Sequence, residues 1–183
     1  MSENEKFDPM VRMKELVEQF CAEKSVDLST FEDGFILDIP VEYLTYVSGC
    51  IDEDMDCATR AIQGVPPVVE KCLDKKAETF VEQRRQFVYI TANRKGLDEE
   101  DIIQVFTICA PEEERFYKSA LLLNMNLPFG AFAVSQVEGQ NYFVMVDTYL
   151  ASSVTYEELA LSIMCLAKSG DKMEKMLMGE DNL

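Results

Sequence analysis

Apolar residues recur along this chain first at helical and then at strand spacing, and turn residues mark most of the joints. Met10, Met13, Leu16, Val17, Phe20 and Cys21 follow Asp8-Pro9, an N-cap with proline in the first turn, so the spacing predicts a helix over about residues 9–24. Asp33-Gly34 signals a turn, and Phe35-Ile36-Leu37 with Ile39 predicts a short strand ending before Pro40. Val41, Leu44 and Val47, and later Val69, Cys72, Leu73, Ala77 and Phe80, are spaced like helical faces. Gly64 and Pro66-Pro67 separate them, so two or three helices are expected between Pro40 and Arg85, the last over about 67–85.

Phe87–Thr91 and Ile102–Ile108 are rich in β-branched and aromatic residues and read as strands, joined across the polar stretch Asn93–Asp101. Pro111 and Glu112-Glu113-Glu114 suit the opening of a helix that stacks Phe116, Ala120 and Leu123 and ends near Asn124–Asn126, ahead of Pro128. Ala131–Ser135 and Tyr142–Val146 read as a strand pair around Glu138–Asn141. Thr155 and Glu158 then have capping-box spacing before a long C-terminal helix through Leu159, Ile163 and Leu166 and, beyond a weak point at Gly170, Met173 and Leu177. Strands linked in hairpins, with helices between the pairs, predict an α+β fold: an antiparallel sheet with helices packed on one face.

In that fold the junction Leu123–Ser135 ends a helix at Asn124 or Asn126 in a left-handed or turn conformation. Pro128 blocks its continuation, and Gly130 swings the backbone into a strand. Phe132 and Val134 are expected on one face of that strand and Ala131 and Ala133 on the other. The stretch Asn124, Leu127, Pro128, Phe129, Gly130, Ala131 and Phe132, followed by Thr155, Glu157, Glu158 and Leu159, resembles the YbjN family of the type III secretion chaperone-like superfamily, over about residues 86–178. The resemblance implies a curved antiparallel sheet against helices, no catalytic site, and a chaperone-like or regulatory role toward another protein, as a monomer or a homodimer. The segment 40–85 departs from that pattern and reads as a helical insertion within a single α+β domain of residues 1–183.

Composition narrows the function. The 183 residues carry 17 basic and 34 acidic side chains, a net charge of −17, which opposes direct binding to nucleic acid or to anionic membranes. The N-terminus lacks the pattern of a signal peptide, and no apolar run approaches the roughly 18 residues of a membrane span, so a cytoplasmic protein is expected. Cys21, Cys50, Cys57, Cys72, Cys109 and Cys165 have neither ligand nor disulfide spacing and read as scattered reduced thiols.

Histidine is absent, which removes the commonest general base, the histidine-activated nucleophiles and imidazole metal sites. Asp52, Asp54 and Asp56 begin a calcium-loop pattern that fails at Cys57 and Gln63, and no glycine-rich phosphate cradle occurs. No metal, cofactor or catalytic set is therefore expected. Arg84-Arg85 and Lys75-Lys76 read as solvated helix faces, and the methionines Met164, Met173, Met176 and Met178 as core packing or an adaptable partner surface.

The reading that results is a non-enzymatic module that binds a protein of unknown identity on its sheet or helix surface. Tyr89, Phe106 and Tyr142 are its candidate contact aromatics. The alternatives are a small redox protein or enzyme using Cys50 or Cys57, disfavoured because neighbouring carboxylates suppress a thiolate, and a homo-oligomeric scaffold.

Overall fold

The computed structural model describes residues 7–31, 33–46 and 79–178. The chain divides into two compact units, residues 1–41 with 85–183, and residues 42–84. Of the second unit only the strand ends, up to Tyr46 and from Thr79, are described. The rest of the expected helical insertion, with the Asp52–Asp56 stretch, Lys75-Lys76, Cys50, Cys57 and Cys72, lies outside the described residues.

The fold is α+β. Six strands form one antiparallel sheet in the order β1-β2-β3-β4-β6-β5, where β1 is Asp27–Phe31, β2 Gly34–Tyr46, β3 Thr79–Lys95, β4 Asp101–Pro111, β5 Ala131–Val137 and β6 Gln140–Leu150. Three helices pack on one face: α1 (Pro9–Lys24), α2 (Tyr117–Asn124) and α3 (Tyr156–Met178). Met13, Leu16, Val17 and Phe20 of α1 and Leu159, Ile163, Leu166 and Met173 of α3 are buried with Val88 and Ile90 of β3, Ile103 and Val105 of β4, and Phe143 and Met145 of β6. Tyr117 of α2 meets Phe143 edge to face at 5.8 Å, which places α2 on the same side. The alternation of side chains along each strand sends the intervening residues to the opposite face, against which none of the described helices packs.

The helix ends follow from local chemistry. The Asp8 carboxylate accepts from the Met10 and Val11 amides, and Ser25 closes α1 at φ 54° with its N–H on the Cys21 carbonyl. The capping box ahead of α3 forms as expected: the Glu158 amide donates to Thr155 Oγ1 at 3.2 Å, and the Thr155 amide donates to Glu158 Oε2 at 2.9 Å.

Several sequence expectations need correction. β2 does not stop before Pro40 but runs to Tyr46, and the expected helix over 67–85 is strand from Thr79 onward. β1 pairs β2 only as far as Asp38, so at Pro40 the strand has one free side, where a residue without an N–H is tolerated. Pro111 ends β4 rather than opening a helix; a short 3-10 turn at Glu114–Phe116 precedes α2. The C-terminal helix does run beyond Gly170 through Met173 and Leu177, as expected. Arg84 and Arg85 lie on a strand, Arg84 buried and Arg85 bound to Asp38 at 2.7 Å, so neither forms a solvated helix face.

At the junction before β5 the helix ends at Asn124 in the turn conformation, the second of the two forms expected, with the Asn126 amide on the Leu123 carbonyl at 2.8 Å. The residue after α2, Met125, is right-handed, and neither Asn124 nor Asn126 is among the residues with positive φ. Asn124 instead reaches β5: its Oδ1 accepts the Phe132 amide at 2.7 Å, and its Nδ2 donates to the Phe132 carbonyl at 3.2 Å. Gly130 does take the left-handed conformation expected of it, at φ +67°.

Candidate functional site

The face of the sheet opposite the described helices collects the residues suited to contact a partner. Tyr89 and Phe106 are direct cross-strand partners of β3 and β4, and their rings stack at 5.0 Å with planes 13° apart. Phe31 joins them from β1, edge to face with Tyr89 at 6.2 Å. Phe87, two residues before Tyr89, points to the same face and is exposed. The result is an aromatic row crossing from β1 to β4, flanked by half-buried Ile36, Ile102, Ile108 and Val146. Partial burial raises the Tyr89 hydroxyl pKa, so this phenol stays neutral and is a donor at physiological pH.

Beside the row lies a shallow hollow of about 190 Å³, lined by Arg94, Gln104, Phe106, Val144, Val146 and residues 133–135 of β5. Its floor forms because Ala133 and two valines stand next to the larger Phe106. Arg94 reaches this face through a bulge between Thr91 and Arg94, and has no ion pair among the described residues. At the other end Arg85 binds Asp38 and stands 3.9 Å from Asp27, and the hydrogen bond to Asp38 holds its guanidinium pKa above the ordinary value. Among the described side chains of this face, Asp27 and Asp38 balance Arg85 and Arg94 in charge.

The three expected contact aromatics therefore share one face, since Tyr142 pairs with Ser135 and alternates with Val144 and Val146. Tyr142 stands toward the far end of β6, outside the stack. Two members were not anticipated. Phe31 was missed because β1 is short, almost wholly exposed and lacks an apolar run. Phe87 was visible in the same alternation that selected Tyr89. Of the motif residues at 124–130 and 155–158, Asn124, Gly130, Thr155 and Glu158 do structural work, while Pro128 and Phe129 form the bend into β5.

The thiols and acidic side chains of α1 and α3, and Cys109 and Asp147 of the strands, lie away from this face among the described residues. No cluster of metal-ligating side chains occurs among them. The hydroxyls of Ser162 and Tyr149 both donate to Asp147 Oδ2, at 2.9 and 2.8 Å, which ties α3 to β6. Burial pushes the thiols of Cys21 and Cys165 up, and that of Cys109 to about 12, so none of the three is a ready thiolate. Among the described residues no helix is long and apolar enough to cross a membrane. Compared with models of known protein families and with curated protein sequences, the chain matches none, so the functional reading rests on the geometry of this face.

Proposed function

We propose that this protein is a non-enzymatic, cytoplasmic binding module that holds a segment of another polypeptide against the face of its sheet opposite the described helices. The observation that carries the reading is the aromatic row Phe31, Tyr89 and Phe106, with Phe87 beside it, on the side opposite the described helices, where Phe31 and Phe87 are exposed and Tyr89 and Phe106 half-buried. Aromatic anchors gathered at the centre of a surface are the usual source of binding energy at protein interfaces. Burying apolar area contributes about 25 cal/mol per Å². The acidic surface around it favours partners with basic flanks. The resemblance to the YbjN family points the same way, toward a chaperone-like or regulatory role.

The test is photo-crosslinking from the native cytosol with a reactive amino acid at Phe87, against the same label at Leu161, which is exposed on α3. One polypeptide species captured at Phe87 and not at Leu161, and lost on Phe106→Ser, supports the reading. Identical capture at both positions, or capture indifferent to Phe106, overturns it.

A further inference from the structure

The free edge of β5 carries a second, independent surface. Because both main-chain groups of Phe132 bond to Asn124, they point away from β6, and the alternation of an antiparallel strand turns those of Val134 and Gln136 the same way. Among the described residues no hydrogen bond reaches the outward groups of Val134 or Gln136. Edge strands are normally guarded by charge or proline. Here no charged residue occurs from Ser119 to Val137, and β5 contains no proline. The same stretch exposes Leu121 by 66%, Leu122 by 60%, Met125 by 85% and Val134 by 42%.

We propose that β5 pairs antiparallel with β5 of a second copy of this chain, about a two-fold axis at Ser135. In that register Val134 meets Gln136 of the other copy, and each pair exchanges an N–H and a carbonyl in both directions. The neighbouring registers fail. Centring on Val134 needs the outward groups of Phe132, which Asn124 occupies, and centring on Gln136 needs Glu138, which leaves the strand at φ 50° in the turn. Only the Ser135 axis uses both free residues and no others. Charge argues for the same occupant: two chains of −17 repel, and the neutral stretch from Ser119 to Val137 is where they meet without facing like charges. The seam shares residues 133–135 with the hollow but none of Phe31, Phe87, Tyr89 and Phe106, so variants of the aromatic row test the two proposals separately.

The experiment is sedimentation of the full chain over a range of concentration and salt, with the variants Val134→Pro, Ser135→Cys and Ala133→Cys. Proline at 134 removes only an outward N–H and spares the pairing of β5 with β6. Across the axis the two Ser135 positions form a non-hydrogen-bonded pair, within disulfide reach, whereas Ala133 faces Val137 of the other copy. The expected result is a dimer strengthened by salt, at least tenfold weaker in Val134→Pro, and an intermolecular disulfide from Ser135→Cys well above those of wild type and Ala133→Cys. If Val134→Pro fails to fold, the disulfide comparison decides alone. A monomer at every concentration, a dimer indifferent to Val134→Pro, or equal crosslinking at 133 and 135 overturns the proposal. Phe87→Asp, which disables the aromatic face, is expected to leave the dimer unchanged.

Discussion

The side chain of Asn124 pairs with the backbone of Phe132 as a neighbouring strand would, accepting its N–H at 2.7 Å and donating to its carbonyl at 3.2 Å. Asn124→Ala leaves both partly buried groups unmet, at a cost of about 1–2 kcal/mol. In a chain of this size that lowers the melting temperature by about 2–8 °C. Asn124→Asp keeps the acceptor but turns a carboxylate toward the Phe132 carbonyl, so it is expected to be no more stable than the alanine variant at neutral pH. Thermal unfolding of the three proteins checks this. A wild-type melting temperature in Asn124→Ala would mean that water replaces the pair at no cost.

The stack of Tyr89 on Phe106 is a coupling as well as a surface. The residues are direct cross-strand partners, and such aromatic pairs contribute about 0.5–1.5 kcal/mol beyond their burial. A double-mutant cycle of Tyr89→Ala and Phe106→Ala, read by urea denaturation, is expected to return a coupling of that size. Additive losses would show that the rings merely lie near each other.

Alkaline stability depends on phenols held neutral. Desolvation foremost, with help from neighbouring carboxylates, pushes Tyr149 and Tyr156 up to about 12; the Tyr156 hydroxyl donates to Glu23 at 2.6 Å. The folded protein holds these protons where the unfolded chain releases them. The stabilisation is therefore complete below pH 10 and is lost as pH rises toward 12. Glu23, lowered chiefly by the Tyr156 hydrogen bond, works in the opposite sense: its contribution is present above the ordinary carboxylate range and lost on acidification through its folded pKa. Tyr156→Phe is expected to flatten both limbs of a plot of urea midpoint against pH, and Tyr149→Phe only the alkaline one. Parallel curves for all three proteins would contradict the assignment.

How much of this was legible in the sequence depended on whether a local signal agreed with the tertiary outcome. Asp8-Pro9 and Thr155 with Glu158 carry their own hydrogen-bond partners, so both helix starts were readable. Ile102–Ile108 has no competing helical pattern and became β4. Around residues 40–46 two periods coexist: Val41, Leu44 and Val47 fit a helix, while Ile39, Val41 and Tyr43 alternate. The strand prevailed, which no single-segment reading decides. The face of Tyr89 and Phe106 was partly legible for the same reason. Alternation assigns a side, but only the strand order brings Phe31 across from β1. Asn124 had a propensity-based role as a helix terminator, and its use as a strand mimic required knowing where Phe132 lies.

The three described thiols divide by burial. Cys109 is fully buried and its pKa raised to about 12, while Cys21 and Cys165 are half-buried and raised less. Mild alkylation near pH 7, followed by peptide mass spectrometry, is expected to leave Cys109 unmodified until the protein is denatured, with slow labelling at the other two. Rapid native labelling of Cys109 would mean that α3 opens from the sheet far more often than its packing suggests.

Gly170 sets two effects against each other. Alanine in a helix interior is favoured over glycine by about 1 kcal/mol, so propensity alone predicts that Gly170→Ala stabilises α3. The glycine, however, lies over β4, and a Cβ there would stand 2.6 Å from Thr107 Cγ2. Thr107 is not free to turn away: its hydroxyl donates to the Phe87 carbonyl at 2.7 Å and accepts from Gln86 Nε2 at 2.6 Å, all within the buried interface. Overpacking a site that cannot relax costs about 1–3 kcal/mol, which outweighs the propensity gain. Gly170→Ala is therefore expected to destabilise by about 1 kcal/mol, the remainder after the propensity gain of similar size. Thr107→Ser deletes the offending methyl and keeps both hydrogen bonds, so in that background the same alanine is expected to be neutral or stabilising. Urea denaturation of the four proteins gives the answer, and an equal cost in both backgrounds would place the strain somewhere other than the contact with Thr107.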